Sequence, residues 1–346
     1  MDLSTILLTI VNKMDGERTI YAGYHLLRGK RSGQTLQDVE YYGVKSFFGI
    51  LPKLSMEQYE EAARQLEQAG YLAKNEDALA FVTEKGRIRV DQCPSYQFNG
   101  WDYRGREWMF FERLSLIVQT VSNIGAGERS FMPIQKEQAI QDFVKALLVK
   151  QPISEPQFAQ SIANELKRSI GQSGMDELQK TILTHRLSGF RMTGWTWDQL
   201  ADQLKRNSFD IRLLFIESLH RLLTVVHTSD DFPFLRKVAA DVKVTSYLTD
   251  SSVKTKQLFE RGMSLKEIAE ARNLKCSTIE DHFVEMSIND PQFPLTQFVS
   301  EEHAADVIAK VNELGTRRLR ILKSEFSTLS YFQLRLILGA RTGGDR

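Results

Sequence analysis

The stretch 254–286 constrains the fold of this chain more than any other segment. It predicts a first helix that ends at Gly262 and a second helix that is capped by Ser264, with Glu267 at the reciprocal capping position. A third helix is expected to be capped by Ser277. Three short helices in this arrangement form a trihelical helix-turn-helix.

The turn and the helix crossing of this motif place demands on residue size. Asn273 tolerates the left-handed backbone that the turn between the second and third helices requires. Ala269 is small where these two helices cross, and Ile268, Leu274 and Ile279 are expected to fill the wedge between them.

Charge argues against base reading by the motif. The segment 254–286 holds six basic and six acidic residues, and the third helix carries three carboxylates and no Lys or Arg. A helix in the major groove should offer Arg, Lys, Asn or Gln to base edges and little negative charge to phosphates. We therefore predict that the motif contacts a protein partner, with these candidate residues: Arg272, Glu280, Asp281, His282 and Glu285.

Residues 1–92 predict a variant of the same motif. Helices are expected at 3–14, 18–28, 34–42 and 56–69, followed by short strands at 71–73 and 79–82 with Gly70 as a left-handed cap. Core helices followed by a two-stranded ribbon give the order of a winged helix. The helix 56–69 has four Glu and one Arg, a net charge of −3, so it is no better suited to DNA.

Positive charge gathers in two other places, the loop 28–33 and the segment 314–346, where basic residues exceed acidic ones by five. Lys and Arg contacts with phosphates hold DNA without reading its sequence. We predict nonspecific contacts with the DNA backbone from Arg28, Lys30, Arg31, Arg317, Arg318, Arg320 and Lys323. Solvated surface charge on helix ends is the alternative interpretation.

The pattern of helices and loops predicts a mainly α protein of three domains: a winged-helix-like domain 1–92, a helical middle domain 107–250, and a C-terminal helix-turn-helix domain 251–346 with extra helices. The segment 93–105, rich in Gly, Pro and aromatic residues, is expected to be a linker. In the middle domain, Trp195 and Trp197 are either packing anchors or part of a degenerate helix-turn-helix.

Composition and missing motifs exclude several function classes. The 45 basic and 44 acidic residues leave no large basic excess, and two cysteines are too few for a disulfide framework or a cysteine-based zinc site. The six histidines show no metal-ligand spacing, and no nucleophile elbow or dinucleotide fingerprint occurs. We expect a noncatalytic protein of the cytoplasm or nucleoid, with no cofactor, metal, membrane span or small-molecule substrate.

Three segments of the chain resemble a known family, the helicase helix-turn-helix (YpbB-like) proteins: 26–38, 47–49 and 254–282, the last with Thr278-Ile279-Glu280-Asp281-His282. The likeness extends over essentially the whole chain. The C-terminal module is similar to the helix-turn-helix at the C-terminus of some RecQ-type helicases. The resemblance implies a noncatalytic accessory protein that works with a RecQ-family DNA helicase in DNA repair or recombination.

Arg272 and His282 stand at places that are usually apolar in standard bacterial helix-turn-helices. We hypothesise that they make polar contacts within or beside the motif.

Two functions are compatible with these patterns. In the first, acidic helices of an adaptor dock a basic helicase while basic segments touch the DNA backbone. In the second, a transcription regulator reads an operator through one or both motifs, with an affinity about 10³-fold or more above nonspecific binding.

Overall fold

The computed structural model describes residues 2–93, 95–245 and 247–342, without the side chains of Arg341 and Thr342. These residues form many helices and one two-stranded sheet, so the predicted mainly α fold is confirmed. No helix in these ranges is long and apolar enough to cross a membrane. The chain forms two compact units: the middle unit, residues 2–6, 49–52 and 95–244, and the terminal unit, residues 7–48, 53–93, 245 and 247–342.

The N-terminal elements have the predicted order of a winged helix. They are α1 Leu3–Met14, α2 Tyr21–Leu27, α3 Gly33–Tyr41, a 3-10 turn Lys45–Phe47, α4 Met56–Gln68, β1 Leu72–Lys74, β2 Ala80–Val82 and α5 Glu84–Asp91. The two strands are antiparallel with Leu72 opposite Val82, and Thr19 bridges Leu79 on the other edge of the ribbon. Gly70 has the expected left-handed backbone, with φ of +73°, after α4.

The helix α5 was not expected from the sequence. Thr83 caps it by accepting the Gly86 N–H at 3.2 Å, directly after β2. Its position against the start of the wing depends on Gly86, whose Cα faces the backbone of Tyr71.

The middle unit is a helical assembly around α12. Its helices are α6 Gly100–Tyr103, α7 Glu107–Gly125, α8 Gln138–Leu148, α9 Pro156–Gln172, α10 Glu177–His185, α11 Trp197–Leu204, α12 Ser208–Thr228 and α13 Pro233–Val238. The Trp197 ring packs edge-on against Phe215 of α12 at 5.2 Å, and Trp195 packs against the same apolar core. Both tryptophans are therefore packing anchors.

The segment 93–105, expected to be a linker, is fixed to the middle unit in its described part. The backbone N–H groups of Gln97 and Asn99 donate to Glu217 and to Nδ1 of His220, each at 2.9 Å. Phe98 and Trp101 are buried. The prediction of a linker is therefore wrong for this part of the segment. Its aromatic side chains are buried and its backbone donates to side chains of α12, whereas the aromatic residues of a free linker would be exposed to water.

The C-terminal elements are α14 Asp250–Glu260, α15 Leu265–Ala271, α16 Cys276–Asn289, a 3-10 turn Leu295–Gln297, α17 Glu301–Leu314, α18 Leu319–Glu325 and α19 Tyr331–Thr342. One apolar core joins α15, α16 and α19, with Ile268, Ile279, Phe283 and Leu336 fully buried. The predicted C-terminal helix-turn-helix is confirmed as α14, α15 and α16.

Both terminal regions of the chain contribute to the terminal unit. Glu17 accepts from the Thr316 hydroxyl at 2.5 Å, from the Arg317 N–H at 3.0 Å and from the Tyr42 hydroxyl at 2.7 Å. Arg317 in turn donates to the Tyr41 carbonyl at 2.7 Å. The three-domain division stays a prediction, whereas the contacts place most of 1–92 and 251–342 in one unit.

Candidate partner and nucleic-acid interface

The local geometry of the helix-turn-helix follows the predicted pattern closely. Ser264 accepts the Glu267 N–H at 3.4 Å, and the Glu267 carboxylate accepts the Ser264 N–H at 2.7 Å, which is the expected capping box. Asn273 has a φ of +51° and Gly262 a φ of +88°, so both turn positions are left-handed. The third helix differs in one detail: it begins at Cys276 after Lys275, so Ser277 lies inside the helix and is not its cap.

Arg272 and His282 make the hypothesised polar contacts. Arg272 donates to the Ser251 carbonyl at 2.7 Å and to the Ser251 hydroxyl at 2.9 Å, and also bonds Thr255. The Thr255 hydroxyl lies 2.8 Å from Nδ1 of the buried His282. Burial lowers the pKa of His282, with a further contribution from the Arg272 charge, so the ring is held neutral. These two residues therefore tie α14 to α15 and α16.

Glu285 has a structural position too. It is 4% exposed and accepts from the Thr249 N–H at 2.6 Å, from the Thr249 hydroxyl at 3.0 Å and from the Ser252 hydroxyl. These bonds anchor the first turn of α14 to α16. Glu285 and His282, both predicted to contact a partner, are buried within the unit and do not reach its surface in this structure.

Among the described residues, several helices pack against α16. Besides α14 and α15, which belong to the motif, α19 and α3 contact it. The two helices come close at Gly339 of α19, where a Cβ would lie 2.7 Å from the Ser287 hydroxyl. Every residue from His282 to Ile288 is buried. The first turns of α16, 276–281, and its last residue, Asn289, keep some exposure, except for the buried Ile279.

The accessible acidic residues of α16 are Glu280 and Asp281. Glu280 is half-buried and forms no ion pair with another residue of the described ranges. The Asp281 carboxylate pairs with Arg335 of α19 at 2.6 Å but keeps 46% of its side chain exposed. These two residues are thus the part of the predicted partner set that reaches the surface.

The basic residues of the loop 28–33 differ in their surroundings. Arg28 is exposed and lies against the Tyr24 ring, while Lys30 is exposed and forms no ion pair among the described residues. Arg31 instead donates to the Tyr247 carbonyl at 2.9 Å and lies 3.7 Å from Glu285. Arg31 is thus directed toward the C-terminal motif.

The basic residues of 317–323 are also divided. Lys323 donates to the carbonyls of Ser327 and Leu329, in the connection between α18 and α19, and Arg317 is held as described above. Arg318 lies 3.8 Å from Asp77 at the tip of the hairpin, and Arg320 is exposed with no ion pair among the described residues. Two further arginines of the predicted basic segment are not described: the side chain of Arg341 and the whole of Arg346 lie outside the described residues. Arg318 and Arg320 are accordingly the best placed for phosphate contacts.

The outer face of α4 is acidic and open. Tyr59, Ala62, Ala63 and Leu66 form its buried stripe, whereas Glu57 and Glu60 are exposed. Glu61 pairs with Arg64 at 2.7 Å, and Glu60 accepts from the Tyr21 hydroxyl at 3.1 Å. We call the surface of Glu57, Glu60 and Glu61 the acidic α4 face.

Sequence reasoning missed one residue that organises this site, Glu17. Its bonds to Thr316 and Arg317 join residues about 300 positions apart, and no local pattern predicts such a pair. Within the described residues, no group of three His, Cys, Asp or Glu side chains could hold a metal ion.

The fold and these contacts define a helix-turn-helix protein, and residues 251–338 match the family model described as "Helix-turn-helix domain". The chain is 30% identical over 333 residues to Protein YpbB of Bacillus subtilis (strain 168), and the alignment covers 94% of each chain. This chain therefore belongs to the YpbB family. No solved structure matches it.

Proposed function

We propose that this protein is a noncatalytic accessory factor that works with a RecQ-family DNA helicase in DNA repair or recombination, and that it contacts the DNA backbone without reading sequence. The observation that carries the proposal is the packing of α3 and α19 on α16. The N-terminal turns of a recognition helix contact base edges, and in α16 these turns carry Glu280 and Asp281 and no Lys or Arg. Gly33 of α3 and Arg335 of α19 lie beside Asp281, so the packed helices approach the same turns. The motif thus serves as a scaffold, which disfavours the operator-reading alternative.

The charge distribution supports a separation of the two binding roles. DNA-binding enzymes carry basic surfaces, and an acidic surface attracts them while it repels phosphate. The acidic α4 face, with Glu280 and Asp281 of α16, is the surface we assign to the helicase. Arg28, Lys30, Arg318 and Arg320 are the residues we assign to DNA.

The helicase role is tested by affinity capture of the purified RecQ-family helicase encoded by the same genome. We expect the double change Glu57→Lys and Glu61→Lys to weaken capture by about tenfold or more, because it converts attraction into repulsion. The matched control is Glu302→Lys with Asp306→Lys, which makes the same charge change on the exposed face of α17. Equal capture by both variants would remove the acidic α4 face from the proposal, and no capture of the helicase by the unchanged chain would remove the helicase.

The DNA role is tested by the salt dependence of binding to duplex and forked DNA. We expect Arg318→Gln with Arg320→Gln to lower the slope of log K against log[salt] by about 2, since each phosphate contact contributes about 0.9. The control Lys150→Gln with Lys167→Gln removes two exposed charges from the middle unit and should leave the slope unchanged. A strong preference for one duplex sequence would favour the operator-reading regulator instead.

A further inference from the structure

Arg31 occupies an acceptor site on the C-terminal motif. Its guanidinium donates to the Tyr247 carbonyl at 2.9 Å and lies 3.7 Å from Oε1 of Glu285. The carboxylate of Glu285 is fixed by the N–H of Thr249 and by two hydroxyls, so its position does not depend on Arg31. Such a carboxylate and carbonyl form a site of the kind that guanidinium groups bind.

The helix that follows Arg31 lies against the acidic part of α16. A Cβ placed on Gly33, the first residue of α3, would be 3.0 Å from Oδ1 of Asp281 and 2.9 Å from Nη2 of Arg335. The N-terminus of α3 therefore lies so close to Asp281 that a side chain at position 33 would crowd the carboxylate. Together, Arg31 and α3 occupy the Asp281 and Glu285 side of α16.

The contact between α3 and the C-terminal helices includes an unsatisfied polar group. Gly33, Gln37 and Tyr41 share one face of α3 because they are four residues apart. Gly33 faces α16 and α19, and Tyr41 donates to the Arg335 carbonyl at 3.4 Å. Gln37 lies between them, is fully buried, and neither atom of its amide has a hydrogen-bond partner among the described residues. A buried amide without partners lowers the stability of the contact that buries it.

We propose that the contact of α3 with α16 is autoinhibitory: Arg31 and α3 occupy, within the chain, an acidic surface of Asp281 and Glu285 that binds an arginine-bearing segment of a protein partner when α3 moves away. Charge complementarity identifies the occupant, since the chain itself fills the site with arginines on both sides, Arg31 and Arg335. Gln37 keeps the closed contact weak enough to open. The inference rests on the proposed function only in that the partner is a basic protein.

The test uses the full chain and a fluorescent peptide of nine arginines, without helicase or DNA. We expect Arg31→Ala to raise the affinity for this peptide about tenfold, because the internal competitor is removed. Arg28→Ala is the matched control, as it removes the same charge three residues away from a side chain that lies on Tyr24. Gln37→Leu is expected to lower the affinity severalfold, because it removes the unsatisfied amide and stabilises the closed contact.

Hydrogen exchange of residues 281–289, measured without peptide, reports opening independently of binding. We expect faster exchange in Arg31→Ala and slower exchange in Gln37→Leu. Equal peptide affinities of Arg31→Ala and Arg28→Ala would overturn the proposal, and so would faster exchange in Arg31→Ala without tighter peptide binding. Neither result bears on capture of the helicase through the acidic α4 face, so the two proposals fail separately.

Discussion

Replacing Glu285 by alanine is expected to lower the free energy of unfolding of the terminal unit by about 3 kcal/mol. The change leaves the Thr249 N–H and the hydroxyls of Thr249 and Ser252 without their acceptor, and it opens a void in a buried part of α16. The measurement is urea unfolding combined with hydrogen exchange of 249–258, because the first turn of α14 should lose its protection first.

Glu280→Ala is the matched control for this change. It removes a carboxylate from the same helix, five residues earlier, where the side chain is half-buried and has no ion pair in the described ranges. We expect its free energy of unfolding to stay within about 0.5 kcal/mol of the unchanged chain. A stable Glu285→Ala variant that loses only partner binding would restore Glu285 to the surface role predicted from the sequence.

The contrast between these two carboxylates explains what the sequence can and cannot predict about the site. The Ser264–Glu267 capping box, the left-handed turn at Asn273 and the apolar wedge were predicted correctly, because each depends on residues close together in sequence. The cap of the third helix was predicted at Ser277, whereas the helix begins after Lys275. The burial of Glu285 depends on Thr249, Ser252 and Arg31, which are distant in sequence. One signal was available: Glu285 stands inside the apolar run 283–288, where a carboxylate facing solvent would interrupt a buried helix face.

The basic residues show the same limit. Composition identified the segment 314–346 as positive, but it does not distinguish Lys323, which donates to carbonyls of the connection after α18, from Arg320, which is exposed. Both roles favour a cation, since the ammonium group of a lysine donates to backbone carbonyls as it does to phosphates. Which basic residues of such a segment bond the protein backbone and which stay exposed therefore depends on the fold.

Replacing Gly86 by alanine is expected to destabilise the winged-helix part of the terminal unit by about 3 kcal/mol. A Cβ at this position would lie 2.2 Å from the Tyr71 carbonyl oxygen and 2.6 Å from Cγ1 of Val82. The Tyr71 carbonyl cannot move freely, because it accepts the Thr83 N–H at 3.0 Å where the hairpin closes onto α5. Relief of the clash therefore requires α5 to separate from the base of the hairpin.

The sign of this effect separates a packing constraint from helix propensity. Alanine in the interior of a helix is favoured over glycine by up to about 1 kcal/mol, so α5 alone would gain from the change. The control Gly171→Ala in α9 has nothing within 4 Å of the added Cβ. We expect this variant to be more stable than the unchanged chain, by up to about 1 kcal/mol in the free energy of unfolding. Thermal unfolding gives the overall effect, and hydrogen exchange of 71–91 locates it. If Gly86→Ala stabilised the chain as Gly171→Ala should, α5 would not pack on the base of the hairpin.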